Sequence, residues 1–329
     1  MRKKNKQGIF CISLDFELYW GIRDKKTVQE YGQNVEGAWR VVPKLLDLFK
    51  KYDVHATWAV VGAMVCENQK ELFDVSPKIK PQYADENLSP YGQFYEEIHQ
   101  IEAQYIFGKS LLKMVEKTPF QEIGTHTFSH YYCLEKGQNK ASFLSDLSSA
   151  LHILKKNNIT AHSFIFPRHQ HNPEYINEFK NYGITTYRGT EKIWYNSSSV
   201  GAEEGIVKRA VRYADYFLKM GSHHCQDITE VKQNGLYNIR ASRWLRPYSK
   251  KLEKLDFLKM RRIKNQMTYA AKNGKIFQLW FHPHDIGSDI DKNFEYLDTI
   301  FEHYQYLKEK YRFKSLNFKE IKDYIDGNH

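Results

Sequence analysis

The chain has 329 residues, of which 41% are hydrophobic, and a formal net charge of +10. This length can bury a sizeable core, and the composition is that of a globular protein rather than a disordered one. Four single cysteines, far apart in the sequence, indicate neither a disulfide framework nor a cysteine-based zinc site. No apolar run reaches the roughly 18 residues of a membrane span, and no signal-peptide core is present. We therefore expect a cytoplasmic protein.

The charge and the aromatic content favour particular partners. A positive balance suits anionic glycans, phosphate-bearing lipids or nucleic acid. The chain contains 23 Tyr, 20 Phe and 6 Trp, and such rings stack on sugar faces, although most belong to a core. No nucleic-acid-binding motif accompanies the charge, so we expect no nucleic-acid partner.

The first third of the chain predicts parallel strands and a long insertion. Residues 8–14 form a short apolar run typical of a buried strand, a helix follows over about 34–50, and residues 56–61 form the next strand. This order predicts a parallel pair joined by a crossover. Residues 66–104 are irregular and contain three prolines, so we expect either a functional lid or a decorative insertion.

Strands and helices alternate through the remainder. A helix over 107–116 leads to a strand at 122–125, and the segment 196–275 is less regular and basic. The further predicted elements are helices over 141–156, 203–220, 252–273 and 293–310, strands over 163–166, 184–188, 276–281 and 312–316, and a final helix. The repeated order predicts a single domain with a closed or nearly closed (β/α) barrel, with a doubly wound open sheet as the alternative.

Polar side chains follow several of these strands directly. They are Asp15, Glu17, His126, His130, Arg168, Arg188, His282 and His284. In a parallel barrel such positions converge on one rim, where barrel enzymes build their sites. Scattered structural histidines would have no reason to follow this pattern.

The residue types at these positions are typical of a metal-dependent hydrolase. His126 and His130 are four residues apart, about one helical turn, so both imidazoles can face one ion. A catalytic zinc needs a third ligand, and Asp15 and Glu17, which share one face of an extended segment, are the candidates. The carboxylate that does not bind metal is then a candidate general base, and His282 is a candidate acid for a leaving amine.

These motifs resemble those of the polysaccharide deacetylase family, the NodB-homology group of carbohydrate esterase family 4. The first family motif is matched by Ser13-Leu-Asp-Phe-Glu17 and the second, His-[Ser/Thr]-x-x-His, by His126-Thr-Phe-Ser-His130. The third is matched loosely by Phe166-Pro-Arg168, and the fifth by Leu279-Trp-Phe-His282. The resemblance spans nearly the whole chain, and the order of the motifs carries it.

The resemblance implies a distorted (β/α) barrel with about seven parallel strands and a divalent metal, commonly Zn²⁺. It implies removal of acetyl from an N-acetylated sugar, with Asp15 as base, Glu17, His126 and His130 as metal ligands, and His282 as acid. A backbone N–H near Arg168 and His169 would stabilise the oxyanion.

The sequence departs from the family pattern in ways that leave roles open. The two acids are separated by Phe16, as in an acid-x-acid variant branch, so Asp15 and Glu17 can exchange roles. Arg168 either orients Asp15 or binds substrate. His284, beside His282, is either an alternative acid or a packing residue. The predicted substrate-binding residues are Tyr19, Trp20, His169, Arg188, Trp280 and His284.

Two other basic or histidine-rich stretches have simpler interpretations. Residues 240–264 hold ten basic residues, and they form either a solvated helix face or a grip for a pyrophosphate-linked glycan or a membrane surface. The triplet His223-His224-Cys225 lacks further residues at ligand spacing and is interpreted as incidental.

We therefore predict a deacetylase of surface-glycan biosynthesis that acts on an N-acetylated glycan or sugar, with anionic and lipid-linked glycans among the candidate substrates. We expect no membrane span and at most peripheral membrane contact. The alternatives are an amide hydrolase with a small non-sugar substrate and a non-catalytic basic glycan-binding module. An open cleft lined by Tyr19, Trp20 and Trp280 would favour a glycan, whereas a small closed cavity would not.

Overall fold

The computed structural model describes residues 7–196 and 206–327. Its strands are β1 Ile9–Phe16, β2 Ala56–Val60, β3 Gln121–Thr125, β4 Ser163–Ile165, β5 Thr186–Gly189, β6 Gln226–Asp227, β7 Lys232–Gln233, β8 Leu236–Arg240, β9 Arg243–Trp244, β10 Lys275–Phe281 and β11 Lys314–Ser315. The helices are α1 Val28–Tyr52, α2 Gln69–Asp74, α3 Gln93–Glu97, α4 Ala103–Ile106, α5 Lys109–Glu116, α6 Lys140–Lys156, α7 Pro173–Ile176, α8 Ile206–Asp215, α9 Asp256–Asn273, α10 Ile290–Tyr311 and α11 Phe318–Asp326.

The sheet is built around seven parallel strands in the order β10-β1-β2-β3-β4-β5-β8. Short antiparallel strands, β6 and β7, flank the two ends, and β11 adds to β1. The chain then passes from β8, which pairs with β5, to β9, which pairs with β10. This segment therefore connects the two end strands of the parallel sheet. The backbone N–H of Ala241 donates to Gly189 and that of Ser242 donates to Gln278. The predicted distorted barrel with about seven parallel strands is therefore confirmed.

The buried strand β1 sets the position of the site. All eight of its residues are buried, because it lies between β10 and β2 under the helices. The parallel partners run in the same direction, so the carboxyl ends of β1, β3, β5 and β10 open onto one rim. Helices α1 and α10 pack beside each other outside the sheet and bury apolar residues such as Val41, Leu45 and Leu297.

The segment 66–104 is more ordered than the sequence indicates. It contains α2, α3 and the start of α4 with intervening 3₁₀ turns, since prolines at 77, 81 and 90 interrupt any longer helix. Its backbone bonds to the loop after the histidine pair, where the N–H groups of Gln82 and Ala84 donate to Gly137 and Lys136.

The basic segment is also divided differently from the prediction. The predicted helix over 203–220 begins outside the described residues, and α8 ends at Asp215, whose carboxylate accepts a hydrogen bond from the backbone of Met220. A 3₁₀ turn occupies Lys250–Leu255, so α9 begins at Asp256. Among the described residues, no helix combines the length and the apolar character needed to cross a membrane.

Candidate functional site

The side chains that follow β1, β3 and β10 meet at the carboxyl end of the barrel. Asp15 and Glu17 come from the end of β1, His126 and His130 from the loop after β3, and His282 from the residue after β10. Four of these five side chains are buried, and that of His282 is 21% exposed. The structure therefore brings together the residues that the sequence places after separate strands.

Glu17 lies between the two histidines. Its Oε2 is 3.3 Å from Nε2 of His126 and 3.1 Å from Nε2 of His130. Glu17 is 2% exposed, and no hydrogen bond satisfies Oε2. Burial of a carboxylate oxygen without a hydrogen bond is energetically unfavourable, so a cation bound beside Glu17 would stabilise this arrangement.

The protonation of the two histidines suits a metal ligand. The ring Nδ1 of His126 lies 2.8 Å from the carbonyl oxygen of Ile165, which fixes the proton on Nδ1 and leaves a lone pair on Nε2. Burial lowers the pKa of His130 to about 4 although Glu17 opposes the shift, so this ring is neutral near pH 7. Burial alone would raise the pKa of Glu17, but the neighbouring His130, His282 and His126 hold it well below its usual value.

A carboxylate oxygen and two neutral imidazole nitrogens are the donor set that a divalent cation such as Zn²⁺ prefers. The atoms of Glu17, His126 and His130 lie close enough together to share one ion. The three residues present therefore fit the metal that the sequence predicts.

The histidine loop does not have the helical turn that the spacing suggested. Residues 126–130 form an irregular loop in which Thr127 and His130 adopt left-handed backbone conformations, with φ of 68° and 59°. Non-glycine residues pay an energetic cost there, so the surrounding structure must hold the loop. Asp146 of α6 does so by accepting hydrogen bonds from the backbone N–H groups of Phe128 at 2.6 Å and Ser129 at 3.2 Å.

Asp15 is paired with Arg188 rather than with Arg168. The two guanidinium nitrogens of Arg188 donate to the two carboxylate oxygens of Asp15 at 2.6 and 2.7 Å, and Nη1 also donates to Ser13. Burial alone would raise the pKa of Asp15, but Arg188, His126 and His282 together hold it well below its usual value. The suggestion that Arg168 orients Asp15 is therefore wrong, because β5 carries Arg188 to that carboxylate.

Arg168 lies further out on the same rim. Its Nη2 donates to Asp24 at 2.6 Å, and its guanidinium stacks on the ring of Tyr132. The hydroxyl of Tyr132 donates to the same carboxylate at 3.1 Å, and its ring packs edge-on against His130. Arg168 is thus linked to the site through Tyr132 rather than through Asp15.

His282 faces both carboxylates of the site. Its Nε2 is 3.6 Å from Glu17 and 3.7 Å from Asp15, and its Nδ1 is 2.7 Å from Asp285. Burial would lower its pKa, but Asp285, Glu17 and Asp15 raise it to about 10, so the ring carries a proton at Nε2. Trp244 and Tyr31 each donate to Asp285, which fixes this carboxylate beneath the imidazole.

His284 lies behind His282. It is 2% exposed, its ring stacks on that of His282 and meets Tyr31 edge-on, and its Nε2 is 3.9 Å from Glu17. His282, His284 and Asp285 also form a second group within metal-ligand distance. Because His282 has the shorter distance to Glu17 and lies near Asp15 as well, His282 is the better-placed proton donor.

The predicted substrate contacts divide into two sets. Trp280 lies over the guanidinium of Arg188 and against His169, so both rings belong to the site wall. Trp20 is fully buried and donates from its indole to Ile106, and Tyr19 is 5% exposed. The expectation of one open cleft lined by Tyr19, Trp20 and Trp280 is wrong for Trp20, because Phe94 and Tyr95 of the insertion pack on its ring. Tyr19 lines a separate groove between residues 19–27 and the insertion.

The loop after β4 also differs from its expected role. Arg168 and His169 adopt φ values of 51° and 53°, and the backbone N–H of His169 donates to the carbonyl of Phe166 at 3.1 Å. The N–H of His169 is therefore engaged in the turn, and an oxyanion donor elsewhere in this loop stays a prediction.

Sequence reasoning missed the roles of three acidic residues, Asp24, Asp146 and Asp285. Asp285 follows His282 by three residues, a spacing that a search for histidine-orienting carboxylates would detect. Asp146 sits among apolar residues on the buried face of α6, and this interruption is a detectable signal. Asp24 stands in a charged loop and carries no such signal.

Comparisons with known proteins agree with this architecture. Residues 36–187 match the family model described as polysaccharide deacetylase, a span that includes the histidine pair. No curated protein matches the sequence significantly. A Mycobacterium smegmatis structure assigned as a polysaccharide deacetylase has a TM-score of 0.56 at 10% identity and covers 99% of this chain and 93% of its own.

Two further solved structures are similar at comparable identity. A 4-alpha-glucanotransferase from Thermococcus litoralis has a TM-score of 0.51 at 12% identity, covering 96% of this chain and 40% of its own. A family pseudoenzyme from Bacillus anthracis has a TM-score of 0.45 at 14% identity, covering 96% and 66%, and this likeness supports no argument. At such identities the structures show the fold alone. The family model covers a little under half of the chain, and over residues 36–187 the chain is similar to polysaccharide deacetylases.

Proposed function

We propose that the protein is a metal-dependent hydrolase that removes acetyl from an N-acetylated sugar of a glycan. The match of residues 36–187 to the polysaccharide deacetylase family model supports a deacetylase of polysaccharide. The observation that carries the finer proposal is the placement of Glu17 Oε2 within 3.3 Å of two imidazole nitrogens, with the protonated His282 on its other side.

Glu17, His126 and His130 would hold the cation, and Zn²⁺ is the proposed ion because zinc suits mixed oxygen and nitrogen ligands. When bound, such an ion supplies Lewis-acid chemistry that polarises an amide carbonyl and eases the deprotonation of water. Glu17 is the proposed ligand rather than Asp15, since both oxygens of Asp15 are occupied by Arg188.

Asp15 is the proposed general base. Arg188 orients both carboxylate oxygens, and Oδ2 lies 3.7 Å from His282, so the carboxylate faces the same space as the proton donor. The ion pair keeps Asp15 deprotonated and also weakens it as a base. Asp15 therefore accepts the proton of the attacking water as the new C–O bond forms, rather than in a separate earlier step.

His282 is the proposed general acid. The imidazolium donates its Nε2 proton to the amine nitrogen as the C–N bond breaks, and Asp285 stabilises the positive charge through Nδ1. Trp280 and His169 form the adjoining wall on which a sugar ring can stack.

The proposal covers two points that rest on sequence alone. The cytoplasmic location and the place in surface-glycan assembly stay predictions. A lipid-linked or nascent glycan is the substrate form that fits such a location.

The test compares metal content and acetate release. We expect the chelated and zinc-reloaded wild type to hold about one ion per chain and to release acetate from N-acetylated sugars. The double variant His126→Ala, His130→Ala should lose both properties, because two of the three ligands are gone. The matched control is His99→Ala, His152→Ala, which removes two exposed histidines outside the site and should change neither.

Two results would contradict the proposal. One is a metal-loaded wild type that releases no acetate from any N-acetylated sugar tested. The other is undiminished metal binding in the double variant.

A further inference from the structure

Exposed apolar side chains concentrate around helix α8. Among the residues that the structure describes, six of the thirteen large apolar side chains that are exposed lie within 194–220. They are Trp194, Ile206, Val207, Tyr213, Leu218 and Met220. Single apolar residues scattered over a surface are ordinary, whereas a concentration in one short segment indicates an interaction surface. The exposed residues of 206–220 are called the α8 surface below.

Helix α8 turns its apolar side towards solvent. Ile206, Ala210 and Tyr213 have the i, i+4, i+7 spacing of one helix face, and all three are exposed. Ile206 is 78% exposed and Val207 is 68% exposed, so both side chains project from the surface instead of lining a groove. A surface helix of a globular protein normally has the reverse orientation, with its apolar stripe against the core.

The polar side of α8 fixes this orientation. Asp215 is buried, and its carboxylate accepts hydrogen bonds from the buried Arg243 at 2.8 Å and the buried Arg262 at 3.1 Å. Nearly one turn earlier, Nε of Arg212 donates to the carbonyl oxygen of Tyr195 at 3.2 Å. A rotation of the helix that buried its apolar side would break these contacts and leave two buried guanidinium groups without their carboxylate, which is strongly unfavourable.

The charges of the α8 surface are positive. Arg209 and Lys219 are exposed, whereas the one acidic residue of this stretch, Asp215, is buried and paired with arginine. The guanidinium of Arg246 lies 4.7 Å from the ring centroid of Tyr213 and adds a third cation beside this exposed ring. The surface therefore combines projecting apolar side chains with cations and offers no carboxylate of its own.

A second copy of the chain would fit this surface poorly. In a twofold dimer the same patch meets itself, so Arg209 and Lys219 of each copy would approach like charges with no exposed acid of the patch to pair them. An anionic lipid surface suits both features, because apolar side chains can insert at the level of the headgroups while the cations meet lipid phosphates. Tyr213 is also suited to this boundary, since its ring is apolar and its hydroxyl is polar.

We propose that the α8 surface binds the protein peripherally to an anionic lipid bilayer. The proposal assigns membrane contact to α8 and the turn that follows it rather than to the basic stretch 240–264. It is independent of the proposed hydrolase function, because the α8 surface contains none of the residues of the candidate site.

Cosedimentation of the purified protein with vesicles of phosphatidylglycerol and phosphatidylcholine tests the apolar part of the proposal. Ile206→Ser with Val207→Ser should lower the partition coefficient at least about tenfold, because two apolar side chains no longer leave water. The matched control is Ile79→Ser with Met114→Ser, which changes two exposed apolar residues of the insertion and α5 and should leave the partition coefficient unchanged.

A second pair of variants tests the charges. Arg209→Gln with Lys219→Gln should weaken binding to the same vesicles about tenfold, since each cation near an anionic surface contributes to the attraction. Lys113→Gln with Lys117→Gln makes an equal change in net charge at two exposed positions after and on α5, and it should have little effect. Wild-type binding should also weaken in added salt and on vesicles of phosphatidylcholine alone.

Three results would overturn the proposal. The first is a wild type that does not sediment with the anionic vesicles, and the second is an equal loss of binding in the α8 variants and their controls. The third is a dimer in solution that Ile206→Ser with Val207→Ser dissociates, because a second copy would then be the occupant. Metal content and acetate release should match the wild type in every variant, so a failure of the hydrolase function leaves the vesicle test intact.

Discussion

Asp15 and Glu17 stand two residues apart at the end of β1, yet their surroundings differ. Arg188 neutralises Asp15 through two hydrogen bonds, whereas Glu17 keeps an unsatisfied oxygen between two histidines. The carboxylate without a permanent cation can bind a metal, and the one with a cation is held in place for proton transfer. The different roles of two similar side chains thus follow from what each one contacts.

Replacement of Arg188 tests whether its guanidinium stabilises the buried carboxylate of Asp15. In chelator-treated protein, Arg188→Met leaves Asp15 buried without its cation and should lower the free energy of unfolding by about 3–5 kcal/mol near pH 7. Urea unfolding measures the difference. Arg246→Met is the control, since Arg246 stacks on Tyr213 and Tyr216 instead of pairing with a buried carboxylate.

The difference in unfolding free energy between the wild type and Arg188→Met should depend on pH, and the pKa of Asp15 sets its direction. Arg188 contributes to holding the folded-state pKa of Asp15 below its usual value, so the wild type keeps this stabilisation above about pH 4 and loses it as the pH falls further. In Arg188→Met the buried carboxyl has a raised pKa and is relieved by protonation on acidification. The difference in unfolding free energy between the two proteins should therefore become smaller from about pH 7 to about pH 4. A difference that stays constant with pH would contradict the pairing of Arg188 with Asp15.

At the scale of elements, the loop after β3 depends on α6. Thr127 and His130 have positive φ angles, and nothing in regular secondary structure holds them. Asp146 accepts hydrogen bonds from the backbone N–H groups of Phe128 and Ser129 and thereby fixes the turn between the two histidines that are candidate metal ligands. The candidate metal site is thus positioned by a buried carboxylate of α6.

We expect Asp146→Asn to weaken zinc binding about tenfold although all three ligands remain, because supporting hydrogen bonds typically change metal affinity by this amount or more. The amide cannot present two accepting oxygens to the same donors. Competition with a chromogenic chelator measures the affinity. Ser148→Ala, an exposed change on the same helix, should have no effect. Unchanged affinity in Asp146→Asn would show that the loop holds its shape without this carboxylate.

For the whole molecule, the parallel order of the sheet explains how residues from distant parts of the chain meet. The apolar runs of β1 and β10 were visible in the sequence because strands buried on both faces are rich in hydrophobic residues. Since parallel strands end on one rim, the meeting of Glu17, His126 and His282 was predictable before any coordinates. The closure through β8 and β9 was not, because such short strands have no clear periodicity.

Contacts that depend on side-chain reach were predicted less well. Arg168 follows β4 and Arg188 lies near the end of β5, and only the arrangement of β5 beside β4 and β8 shows which one meets Asp15. Trp20 resembled a cleft residue because it follows β1, but Phe94 and Tyr95 of the insertion cover it. The histidine spacing correctly predicted that the two rings face one point, but they do so through an irregular loop rather than a helical turn. Long-range packing decided each of these cases.

The measurement that tests the central claim most directly is the zinc affinity and acetate release of Glu17→Gln beside Asp15→Asn. The two variants make the same chemical change two residues apart at the end of β1. We predict that Glu17→Gln loses zinc binding by at least about tenfold, since an amide is a poor substitute for the ligand carboxylate. Asp15→Asn should keep zinc and lose acetate release. Loss of zinc in Asp15→Asn with retention in Glu17→Gln would contradict the assignment of the two carboxylates.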